Sequence, residues 1–153
     1  MAGRDLGRAG AEPVWRFRPR VLPVIATVMA LSVVAIFTVV WLRLATKSEF
    51  TPFQIVTLLV FGGAMLWILY RMATLRIAAY EDRVEVRNVF RSYRLEWNRV
   101  RALRFSPGDP WLQIFDADGN RIGALAIQSA DGSRAGVAAR ELAEVGRRHG
   151  AGD

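Results

Sequence analysis

Residues 21–42 read VLPVIATVMALSVVAIFTVVWL, and residues 52–70 read PFQIVTLLVFGGAMLWILY. Neither run contains Asp, Glu, Lys, Arg or His. As helices, at 1.5 Å rise per residue, they reach about 33 Å and about 28 Å, against a hydrocarbon core of about 30 Å. Neither has a polar face, which sets them apart from the surface helices of a soluble protein. Between them lies only RLATKSEFT, residues 43–51, too short for a domain. The two runs therefore read as a transmembrane hairpin, and everything after residue 70 as a tail.

The flanks of the hairpin give its direction. Residues 1–20 hold five arginines against Asp5 and Glu12. Arg71, Arg76, Arg83 and Arg87 follow the second run, while the connector holds only Arg43 and Lys47 against Glu49. The positive-inside bias puts both termini in the cytoplasm of a plasma-membrane protein and the connector outside. A cleaved signal peptide has an apolar region of about 7–15 residues and a small-residue cleavage site. The first run is longer than that and ends in Trp41-Leu42. Residues 1–20, rich in Gly and Arg, read as a disordered segment, with Trp15 and Phe17 as interfacial anchors. Thr51-Pro52-Phe53-Gln54 spells a capping box with proline at the first helical position. Ala26 and Ala30 in the first span, and Gly62 and Gly63 in the second, are candidate helix-packing residues, because small side chains let membrane helices approach closely. With no ionisable group inside either span, an ion path through the hairpin alone is disfavoured.

Past residue 70 the apolar period changes from all-round to alternating, with turn residues about every ten positions, as in a meander of antiparallel strands. Strands are expected near 74–80, 84–89, 91–97, 101–106, 111–116 and 121–127. With Glu81-Asp82 as a turn, Leu75, Ile77 and Ala79 share a face with Val84 and Val86. In the next hairpin one register pairs Glu85 with Arg94, Arg83 with Glu96, Val84 with Leu95 and Val86 with Tyr93. A slip of two residues opposes like charges, so the first register is preferred. It leaves Val89-Phe90 as the turn, which is poor two-residue turn chemistry and invites a bulge. Residues 133–149 then turn helical, with Ser133 as cap, Val137, Ala138, Leu142 and Val145 on one face, and Arg140–Glu144 and Glu144–Arg148 as i,i+4 pairs on the other.

The run YEDRVEVRNVFRSYRLEWNRVRALRF, residues 80–105, joins an alternating strand to a basic strand ending in Leu-x-Trp, then a short link and a Leu-x-Phe strand. With Arg94-x-x-Trp97 followed by Val100 and Phe105, it resembles the bacterial PH-like domains of the actinobacterial low molecular weight protein antigen 6 group. In that group a membrane hairpin commonly precedes a small PH-like domain. The resemblance implies an α+β chain: a two-helix transmembrane hairpin at 21–70, then a PH-like antiparallel sheet or partly open barrel of about six or seven strands with a C-terminal helix, over residues 71–150.

The chemistry is narrowed by what is missing. There is no cysteine, and His149 is the only histidine. This disfavours thiolate sites, multi-histidine metal sites and a Ser-His-Asp triad, so no catalytic residue, cofactor or metal is expected. Asp116-Ala117-Asp118-Gly119-Asn120 invites a calcium-loop reading. Counted from Asp116, however, Arg121 and Ile127 stand where an EF-hand needs Gly and Glu, and a polar turn between strands explains the motif. The tail carries 14 arginines against 11 acids, with no aromatic stacking platform along a basic stripe, so nucleic acid is not an expected partner. The loop at Tyr80-Glu81-Asp82-Arg83 is acidic and short, which departs from inositol-phosphate-binding PH domains. Candidate membrane- or partner-facing residues are Arg71, Arg76, Arg91, Arg94, Arg101 and Arg104, with Arg87 and Arg99 beside them. Arg71 and Arg76, nearest the second span, should feel the field of anionic headgroups most strongly. The expected function is a non-catalytic binding or assembly module anchored at the cytoplasmic face. Its partner would be a protein, a second copy or the anionic lipid surface. The alternative is an accessory subunit of a membrane transport or cell-envelope complex, acting through its hairpin.

Overall fold

The computed structural model describes residues 12–45 and 51–152. Expectations for residues 1–11 and for connector residues 46–50 lie outside the described residues. The chain divides into two compact units. One is the apolar hairpin, Arg20–Leu75; the other joins the residues up to Pro19 with Arg76–Asp153.

In the hairpin, α1 is Val21–Ala45 and α2 is Pro52–Ala73. The stretches Val21–Arg43 and Pro52–Ala73 are long and apolar enough to cross a membrane, with mean hydropathy 2.5 and 1.9. The capping box at the start of α2 is formed: the Gln54 amide donates to Thr51 Oγ1 at 3.4 Å, and the Thr51 amide donates to Gln54 Oε1 at 3.1 Å. Both helices outrun the apolar runs. At the end of α2, Thr74 Oγ1 donates to the Tyr70 carbonyl at 3.0 Å. The candidate packing glycines separate by environment. A Cβ on Gly62 would lie 2.6 Å from the Phe37 ring, so this glycine is where α1 lays an aromatic on α2. Gly63 faces open space. Ala26 is buried and Ala30 only half so.

The second unit holds seven antiparallel strands in two sheets and a C-terminal helix. The first sheet runs in the order β1 (Trp15–Phe17), β2 (Arg76–Ala79), β3 (Arg83–Arg87), β4 (Ser92–Glu96). The second runs β5 (Val100–Arg104), β6 (Trp111–Asp116), β7 (Arg121–Gln128). Helix α3 is Ser133–Arg148. Strand ends differ from the sequence reading by a residue or two, and the preferred register of the second hairpin is the one formed. Ile77, Ala79, Val84 and Val86 are all buried on the shared face. The turn at Val89-Phe90 is tight, with the Asn88 amide donating to the Arg91 carbonyl at 3.0 Å and no register shift in the ladder beside it.

The expectation of disorder for residues 1–20 is corrected at β1. Trp15, Arg16 and Phe17 pair with Ala79, Ala78 and Ile77, so the strand before the hairpin joins the strand after it. Trp15 and Phe17 are not interfacial anchors. Strand alternation points both toward α3: Trp15 Nε1 donates to Glu141 Oε2 at 2.9 Å, and the Arg134 guanidinium lies 5.3 Å from the centre of the Phe17 ring. The face of α3 is corrected too. Ala135, Ala138, Ala139, Leu142 and Gly146 are buried, while Val137 is exposed. The reason is bulk. A Cβ on Gly146 would meet Trp97 at 3.0 Å, so the helix turns its smallest side chains to the indole. Gly132, at φ +60°, occupies the N-cap in place of Ser133. Glu144 reaches forward to Arg147 and Arg148, not back to Arg140.

Two polar devices close the sheets into one body. Trp97 is 1% exposed; its Nε1 donates to the Tyr80 carbonyl at 2.8 Å, and its amide donates to the Asp82 carbonyl at 3.2 Å. Asn88 reaches from the end of β3 to β7. Its Nδ2 donates to the Gly123 carbonyl at 2.6 Å, and its Oδ1 accepts from the Leu125 amide at 3.1 Å. It meets β7 where the β6–β7 register shifts between Trp111 and Leu112. β7 is an edge strand of its sheet, and the side-chain amide pairs two of its backbone groups.

Trp97→Ala in the full-length protein should cost about 3–5 kcal/mol, read as a loss of the cooperative denaturant transition of the β unit. In the hairpin, Gly62→Val should destabilise by about 1–3 kcal/mol through overpacking against Phe37. Gly63→Val should be tolerated, and steric-trap unfolding in detergent compares the two.

Candidate functional site

The sequence singles out arginines, and the structure sorts them by what they face. On β3 and β4, Glu85 lies opposite Arg94, and Arg94 Nε stands 3.1 Å from Glu85 Oε1 in an ion pair. Glu85 also accepts from Arg83 Nε at 3.1 Å, and Arg83 Nη1 reaches Asp82 at 3.0 Å while its guanidinium sits 4.4 Å from the Tyr80 ring centre. Arg94 is therefore held in a cross-strand pair, though its side chain is 78% exposed and the pair contributes little to stability. Arg99 pairs with Asp118.

The six candidate arginines do not converge. Arg76 begins β2, Arg91 closes the β3–β4 turn, and Arg94 lies on β4, all in the first sheet. Arg101 and Arg104 lie on β5, an edge strand of the second. Arg71 belongs to the last turn of α2, its guanidinium 6.0 Å from the Trp67 ring centre. Arg76 stands directly opposite Arg87, and among the described residues neither forms an ion pair with an acid. This like-charge pair is what the sequence reading did not single out. The signal was the β2–β3 register itself, extended one step past Ile77–Val86.

Beside β5 an open groove is lined by Val100, Leu103 and Arg101 on one side and Arg140, Glu144 and Arg147 of α3 on the other. The Gly152 amide donates to the Val100 carbonyl at 2.9 Å, so the end of the chain occupies part of that edge.

The Asp116 loop binds itself. Asp116 Oδ1 accepts from the amides of Asp118 and Asn120 at 2.9 and 2.8 Å, and Oδ2 accepts from Asn120 Nδ2 at 2.9 Å. Both carboxylate oxygens accept hydrogen bonds within the turn, which is the polar turn between strands that the motif predicts. The Asn120 hydrogen bond, helped by the backbone amides, holds the Asp116 carboxyl below its ordinary value of 3.8 against the opposing effect of desolvation. Among the described residues no group of His, Cys, Asp and Glu is placed to hold a metal ion.

Two open antiparallel sheets and a C-terminal helix that lies on a buried tryptophan fit the layout of a PH-like domain. Residues 74–144 match the family model of the bacterial PH domain. The match begins just before β2 and so leaves out β1. No curated protein and no solved structure matches the chain.

Because the folded-state carboxyl of Asp116 is depressed, its contribution to stability is present above its unfolded value near 3.8 and is lost as pH falls through the lower folded value. Asp116→Asn places an amide against the Asn120 amide. The variant should be less stable at neutral pH and show a flatter loss of stability between about pH 5 and pH 3 than the parent, measured by urea denaturation at each pH.

Proposed function

We propose that the chain is a non-catalytic PH-like module, held at the cytoplasmic face of the plasma membrane by its two-span hairpin, that docks on a partner protein or on the anionic leaflet. One observation carries most of this reading: β1 precedes the hairpin, β2 follows it, and the two are paired in one sheet. A sheet cannot be split across a bilayer. If α1 and α2 span, their outer flanks lie on one side, and the arginine excess of those flanks selects the cytoplasmic side. The same pairing argues against cleavage after α1, which would remove a strand of the domain. A fragment cut to follow the hairpin would lack β1 and leave the edge of β2 stripped.

A second reading, an accessory subunit acting through the hairpin, draws support from an apolar cleft lined by Val33, Phe37, Trp41, Leu59, Gly63 and Leu66. A partner helix could enter beside Gly63, where no side chain stands in the way. Crosslinked complexes that survive replacement of the β unit but not of the spans would favour it.

The chain has no native cysteine, so single-site labelling is direct. Ser48→Cys should react with an impermeant thiol reagent in intact cells, and Ser133→Cys only after lysis. Reaction of Ser133→Cys without lysis would overturn the cytoplasmic assignment.

A further inference from the structure

The first sheet is electrically polarised along its strands. On the face carrying Glu85 and Arg94, Arg76 of β2 stands opposite Arg87 of β3. The β1–β2 register, continued one residue beyond Phe17–Ile77, brings Arg18 level with Arg76. Three arginines thus follow one another across three adjacent strands. Arg18 and Arg76 are exposed and Arg87 half so. Like charges directly opposite on neighbouring strands destabilise a sheet. Elsewhere on this face Arg83 and Arg94 are paired with Glu85 and Asp82. At the other end of the same strands lie Glu81, Asp82 and Glu96. Acid is therefore gathered at one end of the sheet, and base at the other.

The basic end also presents the turn whose chemistry is least like a turn. Asn88, Val89, Phe90 and Arg91 close the β3–β4 hairpin there, and the Phe90 side chain is 73% exposed. An exposed aromatic between arginines suits a bilayer interface, where the ring is immersed and the guanidinium groups meet phosphates. Chain connectivity says which surface that is. Arg18 comes three residues before α1 begins at Val21, and Arg76 comes three residues after α2 ends at Ala73. β1 runs toward the first span and β2 away from the second, so the end of the sheet holding Arg18, Arg76, Arg87 and Phe90 is the end from which both spans depart. From Arg87 to Arg83 is about 13 Å along the strand, more than the Debye length of about 8 Å at physiological salt. The acidic end lies outside the field that attracts the basic one.

We infer that Arg18, Arg76 and Arg87, with the Val89-Phe90 turn, form a foot that binds the phosphates of anionic phospholipids and sets the PH-like domain end-on to the membrane. The inference rests on the proposed spanning hairpin. The site lies at the opposite end of the strands from the short acidic Glu81-Asp82 loop, and its ligand is the phosphodiester charge of the leaflet, not a particular headgroup. It also gives the unfavourable Arg76–Arg87 opposition and the apolar turn a common cause.

The test uses the full-length protein in vesicles, with a nitroxide at one of three single cysteines: Val60→Cys in α2, Val89→Cys in the foot, and Glu81→Cys at the far end. Collision with oxygen against a water-soluble nickel chelate reports depth. In phosphatidylglycerol vesicles, the label at 60 should be deep, at 89 interfacial and at 81 aqueous. Each arginine removed should lower the docked-to-undocked ratio about fivefold, so Arg76→Gln/Arg87→Gln should return the label at 89 toward water, and Phe90→Ser should do the same. Arg104→Gln/Arg121→Gln, which removes equal charge elsewhere, should leave it interfacial. In neutral phosphatidylcholine vesicles the label at 89 should be aqueous, and added inorganic phosphate should not immerse it. Labels at 89 and 81 that report the same depth, or a label at 89 indifferent to lipid charge and to Arg76→Gln/Arg87→Gln, overturn the foot. Immersion at 89 driven by inorganic phosphate overturns the lipid assignment. A label at 60 in water overturns the spanning hairpin and the foot together, whereas depth at 60 with water at 89 overturns the foot alone.

Discussion

Three residues of strand pairing hold the architecture together. Trp15, Arg16 and Phe17 lie against Ala79, Ala78 and Ile77, which closes a covalent and hydrogen-bonded loop around the entire hairpin. Without β1, β2 would be an edge strand, its open backbone groups beside a buried core. With it, the hairpin becomes an insertion within a domain. An anchor attached at one point leaves its cargo free to swivel, but one entered from β1 and left into β2 restrains the domain at two points. The cost falls on folding: the sheet can close only after both helices have been made, a long loop closed for a short ladder.

The remainder of the β unit is held by groups that satisfy backbone across elements. Trp97 fills the space between the Tyr80 turn and Gly146 of α3, and gives its indole N–H to a turn carbonyl. Asn88 supplies β7 with one donor and one acceptor at the bulge. Both are polar groups in apolar surroundings, and both are fully paired, the condition under which burial of a polar atom is tolerated. Gly123 serves the same closure, because a Cβ there would lie 2.6 Å from the Trp111 indole nitrogen.

Charge on this protein is a matter of placement more than of quantity. Of the arginines on the β unit, those facing Asp82, Glu85, Asp118 and Glu144 are engaged in pairs. Surface pairs of this kind contribute little energy, but they remove those arginines from recognition. The row formed by Arg18, Arg76 and Arg87 lies at one end of the first sheet. The acidic hairpin loop at Glu81-Asp82, which departs from phosphate-binding PH domains, is from this viewpoint the far pole of the same gradient.

Local chemistry determined much of this from sequence. Hydropathy alone marks the two apolar helices, and Thr51 and Gln54 announce the cap of α2. The alternation of 75–86 with the charges at Glu85 and Arg94 selects the hairpin register, because a slip would oppose like charges or turn the apolar face outward. Tertiary structure alone decided β1, since a three-residue strand has no periodicity and its partner lies beyond two long apolar helices. It also decided the face of α3, where Val137 is outside and Gly146 inside, because that choice depends on the shape of an indole contributed from elsewhere in the chain. The Asn88 bridge and the row formed by Arg18, Arg76 and Arg87 belong to the same class. Each joins residues whose nearness is set by strand pairing across long sequence separation, and no local pattern carries that information.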